Sequence, residues 1–212
     1  MDKNETFNLV VVDMQYDFCD PEGTMYVDGA SKLAEKIAQF IGINKYDRIS
    51  NIIFTRDSHS LSHCSLQRNG GQWPNHCIAG TIGEGIPVNL IEACWFDNET
   101  YKPYSIFNKG EYNSSEEYGA FNSIITHNTD GRTWYSLEGH SSRIDIITNT
   151  NFVVIGLCGD YCVMETMKNL MQCKDFNVMT IPELVLSIDG GEKFEQFIKE
   201  NNIKTIEKWM SK

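Results

Sequence analysis

A glycine-rich turn with two cysteines is the stretch of this sequence best suited to chemistry. Residues 156–162 read Gly-Leu-Cys-Gly-Asp-Tyr-Cys; they follow the apolar run 152–155 and precede residues 163–171, whose apolar positions recur at helical spacing. This pattern predicts a buried strand, a tight turn and an amphipathic helix, with Cys162 in the first helical turn. The unpaired N–H groups and the dipole at a helix N-terminus favour a thiolate. Cys162 is therefore a candidate nucleophile. The alternative is that Cys162 is only a small apolar side chain in the core, which is the commoner role of a cysteine.

A second group of polar residues follows the apolar run 52–55, which we predict to be a strand. Asp57 and His59 are separated by one residue, so in an extended segment their side chains point to the same side. A carboxylate and an imidazole placed in this way can share one metal ion, and His76 in the next loop can complete the ligand set. Mixed nitrogen and oxygen ligands suit Zn²⁺, Fe²⁺ or Mn²⁺ better than Ca²⁺.

Other ligands remain open for this metal site. His63 lies four residues beyond His59 and is a candidate fourth ligand. Cys64 and Cys77 are rival ligands, but neither forms a Cys-x-x-Cys pair with another cysteine.

Asp13 and Lys109 also follow apolar runs that we predict to be strands. Taken singly, each could be a solvated residue at a strand end, but the carboxyl ends of parallel strands share the edge where α/β proteins bind ligands. Asp13 can accept the proton of the Cys162 thiol, and the Lys109 ammonium can stabilise the resulting anion. Backbone N–H groups of the turn that begins at Cys158 can bind the oxyanion of a tetrahedral intermediate.

The alternation of strands and helices indicates an α/β fold with one doubly wound, mainly parallel sheet and helices on both faces. In the common strand order the first and fourth strands meet where the order reverses, which would place Asp13 opposite Cys162. The predicted strands are residues 7–12, 52–55, 104–107, 152–155 and 177–181, and Pro182 ends the last of them. The predicted helices are residues 30–41, which end at Gly42, residues 163–171, and a later helix around 194–198. Residues 203–210 either close the sheet or fray.

Residues 122–151 are long and polar for a connection, and they are rich in Asn, Ser, Thr and Gly. We expect helix and loop in this segment, forming a lid or a subunit contact.

Composition limits the function classes. The 212 residues suit a single domain, 1–212, and the net charge of −11 provides no basic face for nucleic acid or an anionic membrane. No apolar run approaches the length of a membrane span, and seven cysteines without disulfide spacing suit a reducing compartment. We expect a cytoplasmic protein that forms a homo-oligomer. Neither a Gly-x-Gly-x-x-Gly nor a phosphate-binding Gly-x-x-x-x-Gly-Lys motif is present.

Five motifs in order resemble those of the isochorismatase-like cysteine hydrolases, and most closely their nicotinamidase branch. They are residues 12–18 (Val-Asp-Met-Gln-Tyr-Asp-Phe), 56–59 (Arg-Asp-Ser-His), 73–77 (Trp-Pro-Asn-His-Cys) with Gly80-Thr81, Lys109-Gly110 with 118–121 (Tyr-Gly-Ala-Phe), and 156–163 (Gly-Leu-Cys-Gly-Asp-Tyr-Cys-Val).

This resemblance implies roles for individual residues. The implied catalytic triad is Asp13, Lys109 and Cys162, and the implied metal ligands are Asp57, His59 and His76. It further implies a cis peptide between residues 157 and 158, an oxyanion hole made by the amides of Cys158 and Cys162, and a substrate ring held between Phe18 and Trp73. His63 matches a ligand of some relatives only. Gly119, Cys158 and the long connection 121–152 depart from the family pattern.

The resemblance implies hydrolysis of nicotinamide to nicotinate and ammonia through a Cys162 thioester, with a divalent transition metal, foremost zinc. One alternative is a hydrolase of the same fold that acts on another small amide or a carbamoyl compound. A further alternative is a non-catalytic metal-binding module, because folds outlast functions.

Overall fold

The computed structural model describes residues 5–95, 102–129, 131–146 and 149–207. Six parallel strands form one sheet in the order β3-β2-β1-β7-β8-β9, and three antiparallel strands form a second sheet in the order β4-β5-β6. In chain order the elements are β1 (Phe7–Val12), α1 (Tyr16–Cys19), α2 (Ala30–Asn44), β2 (Ile49–Asp57), α3 (Val88–Glu92), β3 (Tyr104–Lys109), β4 (Ser123–Thr129), β5 (Arg132–Glu138), β6 (Arg143–Ile146), β7 (Asn151–Leu157), a π-helical turn (Gly159–Val163) that continues into α4 (Met164–Met171), β8 (Asn177–Leu186), α5 (Glu192–Glu200) and β9 (Lys204–Thr205).

The central strand β1 shows why the large sheet is covered on both faces. All six of its residues are buried, and alternate side chains point to opposite faces. Leu9 packs in the cluster that contains Ile37 of α2, whereas Val10 packs in the cluster that contains Met167 of α4. This arrangement confirms the doubly wound α/β fold.

The strand order also confirms that the first and fourth parallel strands are neighbours. Strand β7 pairs with β1, with Val12 opposite Gly156. The chain builds β2 and β3 on one side of this pair and β8 and β9 on the other. The carboxyl ends of β1 and β7 therefore flank the point where the strand order reverses.

The expectation of helix and loop for residues 122–151 is wrong. Strands β4, β5 and β6 form an antiparallel sheet that packs Tyr135, Leu137 and Ile146 into the cluster on the α4 side. An Asp-Gly pair at 130–131, a strong hairpin signal, lies between a strand rich in Ile and Thr and the apolar positions of β5. Polar and apolar residues are mixed on the outer face of this sheet, so the sequence shows no clear alternation of polar and apolar residues.

Two predicted element ends are also wrong. Helix α2 continues through Gly42 to Asn44, because Ile41 and Asn44 are buried and a helical glycine costs only about 1 kcal/mol relative to alanine. Strand β8 continues past Pro182, which is exposed and lies where the register with β7 shifts.

Lys204 and Thr205 form the edge strand β9, which pairs with β8. Of the segment 203–210, this described pair closes the sheet, while residues 208–210 lie outside the described residues. None of the helices in the described residues combines the length and the apolar character needed to span a bilayer.

Gly42 offers a direct test of the helix assignment. Outside the adjoining backbone of α2, a Cβ at this position would meet no atom of the described residues within 4 Å, so Gly42→Ala should raise the free energy of unfolding by about 0.5–1 kcal/mol, through higher helix propensity. The matched control is Gly29→Ala at the N-cap of the same helix, where φ is +84° and alanine should destabilise the protein. Urea unfolding of both variants measures the difference. A destabilising effect of Gly42→Ala would contradict the assignment.

Candidate active site

The centre of the site is the ammonium group of Lys109, the last residue of β3. Its Nζ atom lies 2.8 Å from Asp13 Oδ2, 2.6 Å from Asp57 Oδ1 and 3.6 Å from Cys162 Sγ. The Lys109 side chain is only 1% exposed, so these contacts lie in the interior. Asp13 follows β1, Asp57 ends β2 and Cys162 follows β7. Four neighbouring strands of the sheet each bring one polar residue to the same point.

The local backbone fixes the orientation of Asp13. The residue has a φ of +48°, a conformation that Asp adopts more readily than most residues. Its N–H donates to the carbonyl and the hydroxyl of Thr55, and that hydroxyl donates back to Oδ1 at 2.7 Å. Within the described residues, Oδ2 is buried without an aligned hydrogen-bond donor and makes only the ion pair with Lys109. Oδ2 is thus the oxygen that remains available to accept a proton.

Cys162 lies on the π-helical turn after β7, as the sequence predicts for the start of a helix. The carbonyl oxygen of Cys158 closes this turn by accepting the N–H groups of Tyr161 and Val163. The peptide between Leu157 and Cys158 is cis. One carboxylate oxygen each from Asp13 and Asp57 and the Cys162 Sγ atom all lie within 4.8 Å of one another.

Burial governs the protonation of the two reactive groups. Burial raises the pKa of Cys162 well above its ordinary value; the Lys109 ammonium counteracts this increase, and the Asp13 and Asp57 carboxylates add to it. Burial also raises the pKa of Asp13, although Lys109 counteracts it. The helix-terminal position alone favours an ionised thiol, but burial beside two carboxylates outweighs it. At neutral pH the Cys162 thiol is therefore protonated, and its titration is coupled to that of Asp13.

Lys109 itself is positively charged at neutral pH. Burial disfavours the ammonium, but the Asp13 and Asp57 carboxylates outweigh burial and raise the pKa of Lys109 well above its ordinary value. The site therefore contains a permanent cation.

Asp57, His59 and His76 form a group that could hold a metal ion, because one ligand atom from each lies within 4.8 Å of the others. The Nδ1 atom of His59 is 2.7 Å from the carbonyl oxygen of Gly110, and that of His76 is 2.8 Å from the carbonyl oxygen of Pro74. These carbonyls require a proton on each Nδ1, which leaves each Nε2 lone pair free for a metal.

The charge states of two members also fit a divalent cation. Burial, together with the neighbouring histidines, lowers the pKa of His59 to about 4, so at neutral pH its ring is in the neutral form that binds metals. Burial opposes ionisation of Asp57, but Lys109, His59 and His76 outweigh it and lower the pKa of this carboxyl.

The other proposed ligands are placed differently. His63 is buried and stacks on His59 with ring centroids 4.2 Å apart, but it is not part of the three-residue group. Its Nδ1 atom is 2.7 Å from Ser65 Oγ, and its Nε2 atom has no well-aligned partner in the described part of the chain. Neither Cys64 nor Cys77 belongs to the group.

A cavity beside these residues is lined by Phe18 and Trp73, the two aromatic residues expected at the substrate. Tyr118 and Tyr161 also line it, and sequence reasoning missed both. The Tyr118 hydroxyl accepts hydrogen bonds from Trp73 Nε1 at 3.2 Å and Gln72 Nε2 at 2.9 Å. The signal for Tyr161 was its position next to Cys162, and that for Tyr118 was its place in the fourth motif. Further lining residues are Met25, Asp57, His76, Glu116, Cys158 and Ile188.

This arrangement has the parts required for nucleophilic acyl transfer. A thiol, a carboxylate and a fixed cation meet at one point, and a group suited to a metal lies beside a cavity walled by aromatic rings.

The carbonyl that orients His59 can be tested at Gly110. Here φ is +64°, and a Cβ would lie 2.4 Å from His59 Cε1, so Gly110→Ala should displace the imidazole. We expect affinity for Zn²⁺ to fall by at least about tenfold, measured by competition with a chelator. Gly70→Ala is the matched control, because its φ is +91° and its surroundings are open. Equal Zn²⁺ affinities in the two variants would rule out this role for the Gly110 backbone.

Comparisons with known proteins agree with the fold and with the motifs. The chain is 23% identical to the nicotinamidase of Saccharomyces cerevisiae over 94% of this chain and 99% of the relative. It is 26% identical to the nicotinamidase/pyrazinamidase of Mycobacterium tuberculosis over 77% of this chain and 78% of that protein.

Among solved structures, the pyrazinamidase of Pyrococcus horikoshii in complex with zinc superposes with a TM-score of 0.70 at 24% identity, covering 97% of this chain and 99% of that one. No protein-family model matches the chain. The curated relatives, the shared fold and the ordered motifs agree, and they show that the chain is similar to the nicotinamidase branch of the isochorismatase-like cysteine hydrolases.

Proposed function

We propose that this protein is a metal-dependent cysteine amidase that hydrolyses nicotinamide to nicotinate and ammonia. The observation that carries the proposal is the convergence of Asp13, Asp57 and Cys162 on the Lys109 ammonium, beside a cavity lined by Phe18 and Trp73. The names of the curated relatives, nicotinamidase and nicotinamidase/pyrazinamidase, support the choice of substrate.

The first half of the reaction forms a thioester. Asp13 Oδ2 accepts the thiol proton while Cys162 Sγ bonds to the amide carbon, and Lys109 stabilises the developing anion. The amides of Cys158 and Cys162 bind the oxyanion, a contribution of about 3 kcal/mol per donor in comparable sites. Asp13 then gives its proton to the nitrogen, the C–N bond breaks, and ammonia leaves.

The second half releases the acid. Asp13 accepts a proton from a water molecule whose oxygen bonds to the thioester carbon. The C–S bond then breaks, nicotinic acid departs and loses its proton to solvent to give nicotinate, and the proton held by Asp13 returns to the Cys162 thiolate. Since one carboxylate serves as base and then acid in each half, its pKa should lie closer to neutrality than that of an exposed aspartate. The raised pKa of Asp13 is consistent with this role.

Asp57, His59 and His76 would hold the metal, and their mixed oxygen and nitrogen donors suit Zn²⁺. When bound, the metal supplies a Lewis acid that attracts the pyridine nitrogen or the water beside it. Phe18 and Trp73 would bind the faces of a flat ring. A small carbamoyl compound without a ring would make little use of these side chains, which favours nicotinamide over the alternative substrates.

The nucleophile can be tested by removing its sulfur. Ammonia release from nicotinamide should fall more than about a thousandfold in Cys162→Ala, because no thioester can form. The matched control is Cys173→Ala, a half-buried cysteine beyond the end of α4, which should retain activity. A panel with carbamoyl substrates run beside nicotinamide tests the specificity. Wild-type turnover in Cys162→Ala would reject the mechanism.

The acid–base role predicts a pH dependence. Burial raises the pKa of Asp13 above its ordinary value of 3.8, so its carboxylate is lost as the pH falls through this raised value. Because the carboxylate is the required form, kcat/KM for nicotinamide should decline on the acid side at a pH clearly above 3.8. Steady-state kinetics across the acid range measure this limb, which belongs to the coupled pair of Asp13 and Cys162. Full activity down to pH 3.8 would exclude Asp13 as the base.

A further inference from the structure

The turn between β5 and β6, residues 139–142, packs against the segment that carries Lys109. Strand β3 is at the edge of the six-stranded sheet and pairs only with β2 among the described strands. The end of an edge strand is held from one side unless another part of the chain supports it. In this protein the β5–β6 turn provides that support.

The first contacts precede Lys109. The N–H of Asn108 donates to Ser142 Oγ at 2.9 Å, and the Gly139 N–H donates to the carbonyl of Ser142 at 2.9 Å and closes the turn. A Cβ on Gly139 would lie 2.7 Å from the Phe107 ring, so the backbone of the turn rests directly on that ring.

The second contacts follow Lys109. The Glu111 carboxylate accepts the N–H of Ser141 at 3.1 Å and its hydroxyl at 2.6 Å. The rings of Tyr112 and His140 meet edge to face, with centroids 4.3 Å apart. The β5–β6 turn therefore contacts the chain on both sides of Lys109.

Lys109 and Gly110, the two residues between these contacts, both contribute to the candidate active site. Lys109 supplies the ammonium, and the Gly110 carbonyl orients the His59 imidazole. We infer that the β5–β6 turn is a positioning element for Lys109 and His59, in which Ser142 and Glu111 are the positioning residues. The catalytic part of this inference rests on the proposed function.

Loosening the turn should weaken metal binding, and with the metal site saturated it should lower the catalytic rate without changing substrate affinity. Without Ser142 Oγ, the Asn108 N–H loses its partner, and the end of β3 gains freedom next to an ammonium that must contact three groups at once. The cavity walls at Phe18 and Trp73 come from other parts of the chain. The expected signature is therefore a lower kcat with an unchanged KM, together with weaker metal binding.

The test compares Ser142→Ala, Ser142→Thr and the double variant Ser142→Ala/Glu111→Ala. Thr133→Ala is the matched control: its Oγ1 donates to Asn128 Oδ1 at 2.9 Å in the β4–β5 hairpin, at the opposite end of β5 from the tested turn. For each protein, kcat and KM are measured with nicotinamide at saturating Zn²⁺, and Zn²⁺ affinity is measured on the metal-stripped protein by competition with a chromogenic chelator.

We expect kcat and Zn²⁺ affinity each to fall by about tenfold in Ser142→Ala and further in the double variant, with KM unchanged. Ser142→Thr should restore most of both, because it keeps the hydroxyl, and Thr133→Ala should match the wild type. Wild-type values in the double variant, or an equal loss in Thr133→Ala, would overturn the inference. If the wild-type protein itself releases no ammonia from nicotinamide, the proposed function fails, while the Zn²⁺ affinities still decide whether the turn positions His59.

Discussion

The buried contact of one ammonium with two carboxylates is the interaction on which this site depends. An ammonium moved out of water is costly unless it is paired, and removing one partner of a buried pair typically costs about 3–5 kcal/mol. Lys109 meets this requirement with Asp13 on one side and Asp57 on the other. The pairing is possible because β3, β2, β1 and β7 are consecutive in the sheet, so their carboxyl ends deliver the cation, both anions and the thiol to one place.

Through its contact with Lys109, Asp57 connects the group around the Cys162 thiol with the group that could hold a metal. One of its oxygens lies against Lys109, and the residue also belongs to the group that could hold a metal. The two carboxylates and the thiol share a single ammonium, and burial together with this shortage of positive charge keeps the proton on the Cys162 thiol. A proton held in this way is available for transfer within the site, which is what amide cleavage requires.

Much of the fold and the approximate site could be predicted because both depend on simple regularities. Continuous apolar runs mark the central parallel strands, and their carboxyl ends share one edge, so Asp13, Lys109 and Cys162 could be expected to meet. The close contact between Lys109 and Asp57 could not be predicted, since sequence does not show which carboxylate an ammonium approaches. Tyr118 and Tyr161 reach the cavity through loop and turn geometry that has no periodic signal. The β4–β6 sheet was missed because polar and apolar residues are mixed on its outer face, which hides the apolar character of its inner face.

The most direct measurement is acid quenching of the protein during turnover of nicotinamide, followed by mass analysis of its peptides. The proposed mechanism predicts a nicotinoyl group bound as a thioester to the peptide that contains Cys162. A nicotinoyl group on a different residue, or on none while nicotinate accumulates, would contradict it.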